Sequence, residues 1–266
     1  TYFNARTKKY LYLSMPQRVD DKPMPVVDIV DMKLQQEQSG KVPILSDTLV
    51  EEIKATLDKK EQVLLFLNKR GFDTFLVCAD CGYHLGCPNC AVSLKHHASE
   101  GVVKCHYCDY TIKSMPICPS CKNSRILSYG TGTQKLEKEV QKLFPEARIQ
   151  RMDSDTTTRK GSQEKILHAL EKREIDILIG TQMITKGHDF PYITLVGVIS
   201  ADTSLNMPDF RASEKTFQLI TQVAGRGGRG DVPGKVIIQT FNPQHYALRH
   251  AQNHDYQAFY EEEIDF

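Results

Sequence analysis

The chain has 266 residues, 40% of them hydrophobic, with 34 Lys and Arg against 33 Asp and Glu and a formal net charge of +1. That length can bury one large core or two modest ones. The near-zero charge excludes a broadly basic surface, so any nucleic-acid-binding face must be local. No apolar run approaches a membrane span, and the polar start, Thr1-Tyr2-Phe3-Asn4-Ala5-Arg6, does not read as a secretory signal and reads as a cut inside a longer chain.

In chain order, 2–40 shows no periodic pattern. Pro16, Pro23 and Pro25 punctuate it, and it ends in the polar run Gln35-Gln36-Glu37-Gln38-Ser39-Gly40. It reads as a linker with short extended pieces. Leu45, Leu49, Ile53 and Leu57 are spaced for a helix, with Ser46 or Asp47 to cap it and Glu51 and Glu52 near its first turn. Val63-Leu64-Leu65-Phe66-Leu67 is a short run of strand formers, and Asn68-Lys69-Arg70-Gly71 after it looks like a turn. Similar runs recur at 149–152, 177–179, 195–199 and 236–238. Runs apolar throughout, rather than alternating, imply strands covered on both faces. Helical stretches lie between them: 135–144 with Leu136, Val140 and Leu143, 163–172 with Ile166, Leu167 and Leu170, and 214–223 with Phe217, Leu219, Ile220 and Val223. Strand–helix alternation predicts a parallel, doubly wound sheet.

All eight cysteines interrupt this pattern between the first strand and the first long helix, as the pairs Cys78/Cys81, Cys87/Cys90, Cys105/Cys108 and Cys118/Cys121. A disulfide framework belongs to small secreted chains, whereas these flanks read as a cytosolic α/β protein, so metal binding is favoured. A Cys-x-x-Cys turn points two thiolates at one centre, and four turns supply two tetrahedral all-sulfur sites. Gly82, Gly86, Pro88 and Pro119 stand beside the turns, where the backbone must bend tightly. Closed sulfur coordination leaves no position for water, which points to structural zinc. Three pairings are possible. Loop closure favours the nested one, with Cys78, Cys81, Cys118 and Cys121 on one ion and Cys87, Cys90, Cys105 and Cys108 on the other. The crossed pairing and an iron–sulfur cluster are the alternatives, and His84, His96, His97 and His106 are spare donors. Tyr83, Tyr107 and Tyr110, with Lys95, Lys104 and Lys113, either stack unpaired bases or cover the sulfurs and offset their charge.

Three stretches suit phosphate chemistry. In Gln222-Val223-Ala224-Gly225-Arg226-Gly227-Gly228-Arg229 two arginines three apart face the same way. Their planar, permanently charged forks match a phosphoryl group that gains charge in a transition state, and the neighbouring glycines would let the backbone approach another lobe. The bland alternative is a Gly-rich helix end with two solvated arginines. Residues 177–190 form a buried strand running into Thr181-Gln182-Met183-Ile184-Thr185-Lys186-Gly187-His188-Asp189, a polar loop where an open α/β sheet places its ligand. Gly130-Thr131-Gly132-Thr133-Gln134 opens the 135–144 helix and presents free N–H groups, or is an ordinary cap. The sequence has no G-x-x-x-x-G-K-[ST] and no apolar strand ending in Asp-Glu, so ATP hydrolysis is not expected of this chain alone.

The stretch at 222–229 matches the Q-x-x-G-R-x-x-R motif VI of superfamily 2 helicases, and 177–190 resembles their motif V. Together with Phe66 to Gly71, the eight cysteines, Gly130 to Thr133, Arg151-Met152-Asp153-Ser154-Asp155-Thr156-Thr157 and Pro208-Asp209-Phe210-Arg211-Ala212, the chain resembles the PriA (primosomal protein N′) family of bacterial replication-restart helicases from about Tyr2 to His250. Gly227 and Gln134 stand where relatives commonly have Ala and Glu.

The resemblance implies an α/β, RecA-like parallel sheet with helices on both faces, the second helicase lobe, at 41–77 and 122–250. It implies a small two-zinc subdomain inserted at 78–121, an interlobe linker or end of the first lobe at 1–40, and the start of a connection to a further domain at 251–266. Arg226 and Arg229 are then expected at the γ-phosphate, as catalytic residues. Gly187, Asp189, Gln222 and Gly225 are expected at the nucleotide, and Gly130, Thr131, Gly132, Thr133, Thr181, Gln182 and Lys186 at DNA. The implied cofactors are two structural Zn²⁺, with ATP and Mg²⁺ in the whole protein. The implied partners are forked and single-stranded DNA, single-stranded DNA-binding protein and primosome or helicase-loader proteins, in the bacterial cytoplasm at the nucleoid, with no membrane. The alternative is a zinc-dependent module that binds protein or single-stranded DNA and recruits restart partners. On either reading the arginines and the strand-end loop are expected on one edge of the sheet.

Overall fold

The structure, a computed structural model, describes residues 2–13, 23–36, 42–68, 75–90, 92–97, 100–113, 117–129, 132–153, 156–157, 161–181, 190–207, 209–227 and 234–265. After a short helix α1 (Tyr2–Arg6), the chain forms strand β1 (Val26–Asp31), helix α2 (Asp47–Asp58) and strand β2 (Gln62–Phe66). It then builds β3 (Phe75–Cys78), β4 (Lys95–His97), β5 (Val102–Lys104), β6 (Thr111–Lys113) and β7 (Ile126–Tyr129). The remainder alternates α3 (Thr133–Leu143), β8 (Ile149–Met152), α4 (Ser162–Glu171), β9 (Ile177–Gly180), β10 (Ile193–Val198), α5 (Asp202–Leu205), α6 (Ala212–Ala224), β11 (Lys235–Thr240), α7 (Tyr246–Gln252) and α8 (Tyr256–Glu263).

Among the described residues, β1-β11-β10-β2-β9-β8 form one sheet in that order, every pairing parallel. The alternation of side chains along a strand explains how it is covered. Leu64 and Phe66 of β2 enter a core shared with α4, α6, α7 and α8. Val63 and Leu65 of the same strand enter a second core with α2 and α3. Each such side chain, fully buried, contributes about 1.5–3 kcal/mol, so an uninterrupted apolar strand is what a two-faced sheet needs. Ser46, not Asp47, caps α2: its Oγ accepts the Leu49 N–H at 3.2 Å. Its own N–H donates to Gln239 Oε1 at 2.7 Å, tying the helix start to β11.

Three boundaries differ from the sequence reading. The stretch read as linker contains β1, which pairs with β11 along its whole length. Its Asp28 and Asp31 disguised an edge strand, where polar side chains are tolerated. The stretch 251–266 holds α8, whose Phe259 is buried in the main core and stacks on Phe217 with ring centroids 4.2 Å apart. The insertion is wider than its cysteines. A second, antiparallel sheet runs β6-β5-β4-β3-β7, and β3 pairs with β7 from Phe75↔Tyr129 to Cys78↔Ile126. That stem carries the cysteine module out of the lobe and back. Met32, Val77 and Phe241 make a small apolar contact where module meets lobe. Gly82 seals the seam with φ +75°; a Cβ there would stand 2.6 Å from the Phe241 carbonyl oxygen, so only glycine fits both the turn and the approach.

Candidate metal centre and motor residues

The four cysteine pairs fold locally in one way. The first Cys N–H of each pair donates to the carbonyl five residues on: Cys78 to Tyr83, Cys87 to Val92, Cys105 to Tyr110 and Cys118 to Asn123, at 2.6–2.8 Å. In three of the turns the residue after the second Cys takes a left-handed backbone, at Gly82, Asp109 and Lys122. Each turn thereby aims two sulfurs to one side. The eight thiols gather as Cys78, Cys81, Cys118 and Cys121, and as Cys87, Cys90, Cys105 and Cys108, each set within 4.8 Å. This is the nested grouping, and no cysteine is in a disulfide. Among the described residues neither His84, His96, His97 nor His106 joins a group that could hold a metal.

The donor set fits zinc. Sulfurs at the corners of a tetrahedron with metal–sulfur bonds of about 2.3 Å stand about 3.8 Å apart. Cys78 and Cys121 lie 3.5 Å apart, Cys81 and Cys118 3.7 Å, and Cys87 and Cys108 3.6 Å. Without a cation the crowded thiols resist ionisation unevenly. Burial pushes Cys78 up to about 12, and the hydrogen bond with Cys108, then burial, pushes Cys90 up to about 12. The Tyr110 N–H holds Cys108 down at about 7 against its burial. Four thiolates in so small a volume need a divalent cation at the centre, and a closed four-sulfur cage makes that ion a structural cross-link.

The motor residues sit on the parallel sheet. Helix α6 ends at Gly225, whose N–H bonds the Thr221 carbonyl. Arg226 continues the turn, its N–H reaching the Val223 carbonyl at 3.0 Å. Burial lowers the Arg226 guanidinium from its ordinary value, though an arginine remains charged across the working range. Gln222 is exposed and Gly225 half-buried. Gly227 is buried; a Cβ on it would stand 3.2 Å from Val196 Cγ2 and 4.0 Å from Gly234. The glycine thus lets the turn close onto the middle of β10. Thr181 follows β9 at the edge where the strands finish and is nearly buried. Gly227, next to Arg226, thus packs beside mid-β10 and Thr181 follows the end of β9; Asp189 and Arg229, expected beside Arg226, lie outside the described residues.

Gly132 stands at the N-cap of α3, with no side chain to cap it. Thr133 is fully buried, and in place of an expected contact with DNA its hydroxyl donates to Asp153 Oδ2 at 2.5 Å. Arg151 and Thr156 complete this knot: Arg151 Nη1 lies 3.4 Å from Asp153 Oδ2, and the Thr156 N–H donates to Asp153 Oδ1 at 3.0 Å. The Asp153 carboxyl, pushed up by burial, is brought below its ordinary range by Thr133, Thr156 and Arg151. The sequence reading missed this knot, for which the Arg-x-Asp-x-x-Thr pattern at 151–156 is the available signal; it ties Asp153, just after β8, to the start of α3. Gly130, Thr131, Gln182, Lys186, Gly187, Asp189 and Arg229 lie outside the described residues.

A two-faced parallel sheet with a helix-end arginine, and a stem bearing paired four-sulfur knuckles, define a helicase lobe with a cysteine-rich insertion. Comparison with known families agrees: residues 112–231 match the helicase conserved C-terminal domain, and 87–113 match the PriA DNA helicase Cys-rich region. The chain is 48% identical to the replication restart protein PriA of Bacillus subtilis, over 99% of this chain and 33% of that protein. It is 44% identical to that of Synechocystis, over 95% and 31%, and 45% identical to that of Chlamydia trachomatis, over 99% and 35%. The chain belongs to the PriA family, and it spans about a third of the length of these relatives.

Proposed function

We propose that this chain is the second motor lobe of an ATP-dependent 3′→5′ DNA helicase that recognises stalled or repaired forks and restarts replication by primosome assembly. The observation that carries the proposal is the anchoring of Arg226: helix α6 delivers it, and the close approach of Gly227 to Val196 holds its backbone on the sheet. An arginine whose backbone is anchored in this way can present its guanidinium to charge developing on a γ-phosphate bound to a facing lobe with Mg²⁺. On this reading Arg226 and Arg229 are the catalytic pair, and Gly187, Asp189, Gln222 and Gly225 line the nucleotide. Gly130, Thr131, Gly132, Thr181, Gln182 and Lys186 follow the DNA backbone, while Thr133 positions the start of α3 from inside. Cys78, Cys81, Cys118 and Cys121 hold one zinc ion, and Cys87, Cys90, Cys105 and Cys108 hold the other.

The sequence contains no phosphate-cradling G-x-x-x-x-G-K-[ST], so the 266-residue chain by itself hydrolyses no ATP on this account. The test is Arg229→Ala, and separately Arg226→Ala, in the longer protein that supplies the facing lobe. DNA-stimulated hydrolysis should fall at least a hundredfold while fork binding stays within a few-fold. Undiminished hydrolysis in both variants contradicts the assignment. A second reading is favoured by Tyr107, 67% exposed between two zinc-site cysteines: the cysteine module serves as a zinc-dependent platform for single-stranded DNA, single-stranded DNA-binding protein or loader proteins. Chelation that spares hydrolysis but abolishes unwinding and recruitment assigns that part to the module. The setting for all of this is the bacterial cytoplasm, at the nucleoid; among the described residues no helix is long and apolar enough to cross a membrane.

A further inference from the structure

Among the described residues the most exposed large apolar side chain is Phe210, at 92%. Leaving a phenyl ring in water forgoes its burial energy, yet the turn carrying it is firmly braced. The Asp209 carboxylate accepts the Arg211 N–H at 2.9 Å and pairs with Lys215 in the first turn of α6. The Asp209 carbonyl accepts the Ala212 N–H at 2.9 Å, and the Asp209 N–H reaches Met207 O at 2.7 Å. The carboxyl of Asp209 is held below its ordinary value by Lys215 and by the Arg211 N–H. Four contacts therefore fix a two-residue projection that consists of an aromatic ring and a cation: the Arg211 guanidinium lies 5.4 Å from the Phe210 ring centroid and is about half-exposed.

The place of this projection matters. It precedes α6 and follows β10 and α5, so it lies on the side where the parallel strands finish, the side on which Thr181 ends β9. The same helix carries Gln222 at its other end and hands on to Arg226. Its 13 residues span about 20 Å. One rigid rod thus joins an aromatic–cation pair at one end to a phosphate-seeking arginine at the other.

We infer that Phe210 is a stacking platform for an unpaired base of single-stranded DNA, with Arg211 taking the adjoining phosphate. A planar ring beside a guanidinium matches the alternation of base and phosphate along a single strand, and stacking is indifferent to sequence because every base has a π-face. The inference rests on the helicase reading for its ligand, but it is tested by a measurement that needs no ATP hydrolysis. The chain contains no tryptophan, so Phe210→Trp places a single tryptophan, excited selectively over the 11 tyrosines, at the turn of the zinc-loaded protein. An oligothymidylate should quench its emission, while an abasic deoxyribose-phosphate strand of equal length should not. Phe210→Ala should weaken oligothymidylate binding, read by fluorescence anisotropy, about tenfold and leave binding of the abasic strand unchanged. The inference is overturned by any of these results: emission unmoved at saturating oligothymidylate, equal quenching by the abasic strand, equal weakening of both ligands in Phe210→Ala, or no binding of either strand. Loss of stacking alongside intact effects of Arg226→Ala on hydrolysis would remove this inference and leave the motor assignment standing.

Discussion

The lobe and the cysteine module are both built on sheets, but they are stabilised by different means. Every strand of the lobe's interior feeds two apolar cores, and the helices that cover them supply whole faces of Leu, Ile and Val. Among the described residues the module has one small core, of Leu76, Leu85, Leu94 and Val103, in which Cys87 and Cys105 are themselves buried members. So few side chains cannot offset the entropy of ordering several dozen residues. The lobe is therefore held by burial and the module by its metal, with Gly82 and Phe241 at the seam between them.

The sharpest way to break this contrast is Cys90→Ser. Structural zinc in a sulfur cage is worth on the order of 10 kcal/mol of folding free energy, and a ligand lost from the inner site should release one ion. Amide exchange in β4, β5 and β6 should become fast, while β2, β9 and β10 keep their protection; protection lost across the lobe as well would show that the regions are not independent. Gly82→Ala comes next. The left-handed backbone and the clash with Phe241 together should cost roughly 3 kcal/mol, seen as faster exchange along the β3–β7 stem with both zinc ions retained. An unchanged stem would mean that the seam yields freely.

A smaller effect sharpens the lobe's side. Asp202 is fully buried, accepts from Thr240 Oγ1 at 3.0 Å and from the Phe241 N–H at 3.1 Å, and burial pushes its carboxyl up from 3.8 to about 6. Between those values the folded chain keeps a proton that the unfolded chain has lost, so this group's contribution to stability declines as pH rises from about 4 to about 6. The change is on the order of 2–3 kcal/mol. His245, lowered from 6.5 to about 4 by burial, slopes the other way: its contribution grows as pH rises through the same window. Asp202→Asn should therefore unmask a stability that increases with pH, in urea titrations with zinc in excess; an unaltered pH profile would refute the role of Asp202. The smallest expected change is Ser46→Ala, about 1 kcal/mol for a lost helix cap, read as a lower urea midpoint of the lobe with the module unaffected.

Much of the lobe was legible because its signals are local. Runs such as Val63 to Leu67 and Ile177 to Ile179 can only be strands covered on both faces, and the spacing of Leu45, Leu49 and Ile53 announced α2. The four cysteine pairs were legible for the same reason, each knuckle closing on itself within five residues; which pairs share an ion was only favoured by loop closure, because it joins cysteines up to 43 residues apart. What escaped depends on partners distant in sequence. Strand β1 gains its place only from β11, two hundred residues away, and β3 and β7 define the insertion only by finding each other across the whole module. Thr133 misled because a hydroxyl at a helix start looks the same in sequence whether it faces solvent or a buried Asp153. Phe210 could be read as a residue but not as an exposed one.

Metal is the support of the module, and native mass spectrometry of the intact chain tests that most directly. Two zinc ions per chain, with all eight thiols reduced once the protein is unfolded in chelator, is the predicted result. A chain that carries no metal, or whose mass is short by the hydrogens lost to disulfides, would contradict it.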